Sequence, residues 1–157
     1  MKKPRFSLNR KDQALSALVQ SSNKRILALW SIECVERVLP IFTQDYPEDN
    51  RPQQALETLQ NWIDTGKFSM SVIRTASLNS HAAAREIEVD SPARSAARAA
   101  GQAVATAHTP AHALAAASYA QQAVHFAADP EKAESAVAAE AQWQLQRLIE
   151  LNAGEKD

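Results

Sequence analysis

KRILALWSIECVERVLPIF, running from Lys24 to Phe42, is the stretch that decides the fold. Wound as a helix, it distributes Ile26, Leu27, Leu29, Trp30, Ile32, Cys34, Val35, Val38, Leu39, Ile41 and Phe42 almost all the way round its surface. A helix that is apolar on nearly every side belongs inside a protein. Only a narrow strip of Glu33, Glu36 and Arg37 is polar, and Glu33 stands four residues before Arg37, the orientation that favours an ion pair. Pro40 is expected to kink this helix near its end or to shorten it. The elements needed to surround it are also helical by composition. The remaining chain is rich in alanine, has three glycines and lacks alternating β-branched runs. The predicted fold is all-α, a compact bundle of about seven helices joined by short turns, with no sheet.

Capping residues mark where those helices begin. A short first helix is predicted from about Asn9 to Gln20, and Ser22 or Asn23 caps the central one. Asp49 or Asn50, followed by Pro52, opens a third that stops before Gly66, and Ser69 caps a fourth reaching about Glu88. Ser91-Pro92, Thr109-Pro110 and Asp129-Pro130 each pair a capping residue with a proline suited to the first helical position, so three more helices are predicted there. The organisation reads as a basic arm and short helix over residues 1–22, one helical domain over 23–152, and a tail over 153–157.

Composition narrows the function. The single cysteine, Cys34, excludes an internal disulfide and a cysteine-built zinc site and fits a reducing compartment. The basic start has no apolar run of signal-peptide length, and no stretch of about 18 apolar residues occurs. The expectation is a cytoplasmic protein with no membrane partner. The net charge of −1 is unevenly laid out: residues 1–25 carry seven Lys or Arg against one Asp, and residues 129–157 carry seven acids against three bases. A basic arm without interleaved aromatics is weak support for nucleic-acid binding, and a solvated end is the plainer reading.

Chemistry-bearing residues cluster around GQAVATAHTPAHALAAASY, Gly101 to Tyr119. His108 and His112 have the H-x-x-x-H spacing that places two imidazoles on one face of a continuous helix. Pro110 lies between them, however, and a helix starting there puts the pair on either side of a corner. Any metal site would draw on His108, His112, His81 and Glu36, but nothing in the sequence forces them together. The alternative is that both histidines are buried hydrogen-bonding groups that fix helix packing. The expected polar cluster comprises Glu33, Glu36, Arg37, His108, His112 and Tyr119, with His112 facing inward and His125 outward. Cys34, set among large apolar residues, reads as an inert thiol rather than a nucleophile. Ser80 before His81 lacks the strand-to-helix elbow of a serine hydrolase, and no glycine-rich phosphate loop occurs. Exposed candidates for partner contact are a basic patch of Arg74, His81 and Arg85, and the acidic positions Asp45, Glu48, Asp49, Glu131 and Glu134. Trp143 joins them because it lies off the stripe of Ala133, Val137, Ala141, Leu145, Leu148 and Leu151 that should bury the last helix; it either packs against the basic arm or anchors a partner.

Four segments taken in order, ALWSIECVERVLPIF, DNRPQQAL, SHAAARE and SAARAAGQAVATAHTPAHALAAASYAQQAV, resemble the immunity protein family of bacterial polymorphic toxin systems, the "immunity-protein-five-like" domain. The likeness covers about residues 25–128, and its most specific pieces are W-x-x-x-C-x-E-R-V-L-P and A-T-A-H-x-x-x-H. Carried over position by position, the recurring polar residues of that family fall on Cys34, Glu36, Arg37, Arg51, His81, Arg85, Gln102, Thr106, His108, His112 and Tyr119. The chain departs from the usual pattern at Pro110, which removes the continuous helix that would join His108 to His112.

The resemblance implies a non-enzymatic inhibitor that binds a cognate toxin domain and needs no cofactor. Exposed acidic segments, Asp45 to Asp64 and Asp129 to Glu150, would suit a basic toxin. Two other readings stand beside it: a small enzyme or metal-binding protein built on the His/Glu/Arg cluster, and a nucleic-acid-associated protein acting through the basic arm. The sequence leaves the toxin, its contact surface and the oligomeric state open.

Overall fold

The computed structural model describes Phe6 and residues 12–155, so most of the basic arm lies outside the described residues. Eight helices and no strand occur among the described residues: α1 (Gln13–Ser21), α2 (Lys24–Glu36), α3 (Leu39–Asp45), α4 (Arg51–Thr65), α5 (Met70–Arg85), α6 (Pro92–Ala105), α7 (Ala111–Ala127) and α8 (Ala133–Glu155).

The eighth helix arises where one was expected to run from Lys24 to Phe42. Pro40 has no N–H to give to the carbonyl of Glu36, and its ring would press on that carbonyl. The chain therefore turns at Arg37 and Val38, and α3 starts afresh with Pro40 in its first turn. The other starts follow the capping chemistry more closely. Asp12 and Asn23 accept the N–H groups of Leu15 (3.0 Å) and Ile26 (2.8 Å), and Gly66 closes α4 at φ 68°. The start expected at Asn9 lies outside the described residues. Pro92 opens α6, whereas Pro110 is the cap of α7 and Pro130 sits in a turn, so that α8 begins only at Ala133. That turn is closed by Lys132 N–H donating to Asp129 O at 2.9 Å. The fourth predicted helix ends at Arg85 rather than Glu88, because residues 86–91 turn through Asp90, whose φ of 67° no helix accommodates.

Two helices organise the packing, by opposite means. α2 is thick with large side chains and divides the interior: Ala28, Ile32 and Val35 face one core cluster, and Ile26, Leu27, Trp30 and Cys34 face another that includes Leu15, Val19, Ala113, Ala117 and Leu148. α6 is made of small residues. Ala93, Ala96, Ala97, Ala99, Ala100, Gly101, Ala103 and Val104 are all buried, and the helix packs on α7, α5, α4, α3 and α2 at once. Each buried methyl contributes only about 0.8 kcal/mol by transfer, so the gain comes from how closely the neighbouring backbones approach. Serines exploit that approach. Ser77 and Ser80 of α5 donate to the carbonyls of Gly101 (2.9 Å) and Ala97 (2.8 Å) on α6.

Candidate functional site

Because α6 carries almost no side-chain bulk, the residues of α5 and α7 that flank it meet across its outer edge. His81 of α5 lies directly over Gly101. A Cβ added to Gly101 would stand 2.7 Å from His81 Nε2 and 2.9 Å from both Cδ2 and Cε1. The glycine is therefore the seat of the imidazole. On its other side the ring meets Arg98, with Nη1 2.9 Å from His81 Nδ1. Arginine is always a donor, so Nδ1 accepts and the proton of the neutral ring sits on Nε2. Burial, then Arg98, Arg85 and His112, push the His81 pKa down to about 4. One turn further along, His112 Nδ1 lies 2.8 Å from Gln102 Oε1; the amide oxygen accepts, which leaves Nε2 of a neutral His112 as a lone pair. Burial, and after it His108, hold His112 below the usual histidine value.

Three arginines, Arg85, Arg94 and Arg98, border this furrow. Arg98 is half-buried; burial lowers its pKa first of all, Tyr119 acts in the opposite direction, and Arg94 and Arg85 lower it further. No carboxylate is among the groups that act on His81 or Arg98. Arg94 uses Nη1 to hold the Ile87 carbonyl at 2.9 Å.

Elsewhere Arg37, Arg51 and Arg147 are paired with carboxylates. The bond expected within α2, Glu33 to Arg37, does not form, because each of the two finds a partner on α8. Arg37 Nε instead donates to both oxygens of Glu140 on α8, and its guanidinium lies 4.0 Å above the Trp143 ring. Glu33 receives Arg147 in a two-bond fork at 2.9 and 3.0 Å. Arg51 bridges Asp49 and Glu86, each at 2.7 Å, and its bonds hold the Asp49 carboxyl below its ordinary range. These pairs clamp α2 to α8 and the start of α4 to the end of α5.

The expected polar cluster therefore separates. Glu33 and Arg37 belong to the α8 clamp. Glu36 is exposed on the rim of a groove floored by Ile32, Leu39 and Leu56, with Glu57 opposite. His112 and Tyr119 belong to the furrow. His108, expected to face inward, is exposed in the turn after α6 and stacks on Phe68 at 6.4 Å. Its helix stops at Ala105, so the inward face assigned by helical spacing does not extend to residue 108. His125, expected outside, is only 4% exposed, under an edge-on Phe6 ring 5.5 Å away. The Phe6 ring lies against that side of α7, which no wheel reveals. Among the described residues no three of His, Cys, Asp and Glu are grouped to hold a metal ion.

Of the candidate contact residues, Arg74, Arg85, Asp45, Glu48, Glu131 and Glu134 are exposed, His81 is half-buried, and Asp49 is engaged by Arg51. Trp143 is half-buried, between Arg37 and the cluster containing Leu15 and Val19. Cys34 is buried, and burial, followed by Glu140 and Glu33, raises its pKa well above the ordinary thiol value, which suppresses the nucleophilic thiolate.

Several determining residues carry weak sequence signals. The buried line of α8 is Ala133, Glu140, Gln144 and Leu148, two of them polar. Gln144 has no exposed surface; its Nε2 donates to Ala117 O at 3.0 Å, its Oε1 accepts from Gln121 Nε2 at 2.7 Å, and its carbonyl accepts Trp30 Nε1 at 2.8 Å. The i, i+4 spacing of Glu140 and Gln144 among alanines is the one available hint. Thr106 ends α6 with its hydroxyl buried and unpartnered, the one such side-chain atom among the described residues. No described helix is long and apolar enough to cross a membrane.

Compared with known proteins, residues 17–151 match the family model described as Imm-5 like putative immunity protein, a span running from α1 into α8. No curated protein and no solved structure matches the chain.

Proposed function

Because the chain belongs to the Imm-5 like immunity protein family, we propose that it protects a bacterial cell by binding a cognate toxin domain and blocking it through protein–protein contact. The single observation that carries this reading is the extent of the family match, which takes in nearly the whole helical body. The unit that binds is residues 23–152, read as one domain acting in the cytoplasm. Two features support the reading. The chain's most reactive side chain, the Cys34 thiol, is buried and held protonated, and exposed charges of both signs, Arg74 and Arg85 as well as Asp45, Glu48, Glu131 and Glu134, are available to steer association and reject wrong partners.

The test is to purify the toxin domain encoded beside this gene and titrate it with this protein in a calorimeter, while following the toxin's own activity. A one-to-one complex with a Kd of about 100 nM or tighter, and toxin activity falling in step with occupancy, is expected. Absence of heat at about 50 μM, with toxin activity undiminished, overturns the proposal.

A further inference from the structure

Every arginine that clamps one helix of this protein to another holds a carboxylate: Arg37 with Glu140, Arg51 with Glu86, Arg147 with Glu33. The three arginines along the α5–α6 edge do not. Arg85, Arg94 and Arg98 form no ion pair among the described residues, although folding brings Arg85 and Arg94 near enough to act on Arg98 electrostatically. Exposed Glu86 and Glu88 stand beside Arg85 in the chain, yet neither forms an ion pair with any of the three arginines; the carboxylate of Glu86 is taken by Arg51.

Two of the cations are also positioned, Arg94 by the Ile87 carbonyl and Arg98 by His81. Arg98 is held by a hydrogen bond from one nitrogen to His81 Nδ1, and His81 is seated on the bare backbone of Gly101. The remaining guanidinium N–H groups of Arg98 have no partner among the described residues. Gln102, His112 and Tyr119 line the α7 side of the same furrow. Pre-ordered arginine beside aromatic rings is the composition of interface hot spots, because little side-chain freedom is left to lose on binding.

We infer that the furrow over α6, with Arg85, Arg94 and Arg98 as its charged contacts, is the docking surface for an acidic segment of the partner toxin. This rests on the toxin-binding reading above and names the chemistry of the surface the toxin presents. Charge complementarity selects carboxylates, which arginine receives in two-bond forks. A long polyanion such as nucleic acid is the poorer fit, since the other faces expose Glu36, Asp45, Glu48, Glu57 and Asp64 and would repel it.

The test compares binding of the purified toxin domain to the wild-type chain, to Arg85→Glu/Arg98→Glu, and to Glu36→Lys/Glu57→Lys on the opposite-sign groove. Arg85→Glu alone is included because that side chain is exposed and makes no internal bond among the described residues, so the fold should tolerate it; circular dichroism checks every variant. The expected result is a loss of about 100-fold or more for the double reversal, about 10-fold for Arg85→Glu, and less than about 3-fold for the groove variant. Wild-type affinity in a folded Arg85→Glu/Arg98→Glu, or loss confined to the groove variant, overturns the docking surface while leaving toxin binding intact. A wild-type chain that binds no toxin overturns both readings. Binding of a 20-nucleotide DNA duplex that the same reversal abolishes assigns the face to phosphate instead.

Discussion

Gly101→Ala is the substitution whose outcome the geometry specifies most closely. In an isolated helix the change is favourable, by about 1 kcal/mol, because alanine loses less backbone freedom than glycine. In this protein the new methyl would stand 2.7 to 2.9 Å from three atoms of the His81 ring. The imidazole has to swing outward. It then forfeits its bond with Arg98, about 1–1.5 kcal/mol, together with part of its burial. Gain and loss nearly cancel or leave the variant about 0.5–1.5 kcal/mol less stable. The decisive measurement is the second edge of the cycle. In a His81→Ala background there is no ring to meet, and Gly101→Ala should stabilise by about 1 kcal/mol. Urea unfolding of the four proteins should therefore give a coupling of about 1–2.5 kcal/mol between positions 81 and 101, with a change of sign in the effect of the methyl. Proton NMR titration supplies an independent readout, since an ejected ring returns from a pKa of about 4 toward the ordinary 6.5. A coupling within about 0.3 kcal/mol of zero, or an unaltered His81 titration, would refute the claim that glycine is there to seat the imidazole.

Two further outcomes follow from buried polar groups. Between pH 6.5 and about 4 the unfolded chain binds a proton at His81 that the folded chain refuses, so stability falls as pH drops through that window and levels off below it; the full shift corresponds to about 3.4 kcal/mol, reduced to about 1–2 kcal/mol by water around a half-buried ring. His112 contributes in the same direction, and His81→Gln should flatten the profile in urea melts at pH 7 and 4.5; an equally steep decline in that variant would contradict the assignment. Gln144→Leu leaves the buried Gln121 amide without its acceptor and should cost about 1–3 kcal/mol, whereas Gln121→Leu/Gln144→Leu should recover much of it. A double variant as unstable as the sum of the singles would show that volume, not hydrogen bonding, governs that position.

Much of the helical layout is legible because the signals are local. Asn23, Ser69 and Gly66 act within a turn of their own positions, and the all-round apolar pattern of residues 24–42 announces burial whatever surrounds it. Where reading the sequence erred, a local rule met a competing one. Pro40 was read as kinking or shortening one helix; with no N–H to offer, it shortens that helix and also begins another. His108 was placed by the periodicity of a helix that stops three residues earlier, and His125 was judged without the Phe6 ring that covers it. The intended partner of Arg37 lay four residues away on the wheel; the one it takes, Glu140, lies 103 residues away.

The sequence by itself determined the class of fold, most helix ends, the burial of α2 and of Cys34, and the family likeness, all of which depend on residue type and short-range spacing. Only the tertiary structure decided which charges pair and which are left over. Ion pairs and polar networks depend on distances between helices far apart in the chain, and those distances are set by how closely an alanine helix lets its neighbours approach. That is why the edge of Arg85, Arg94 and Arg98, which holds no ion pair among the described residues, and the glycine that seats His81 beside it, could be seen only once α5, α6 and α7 were in place.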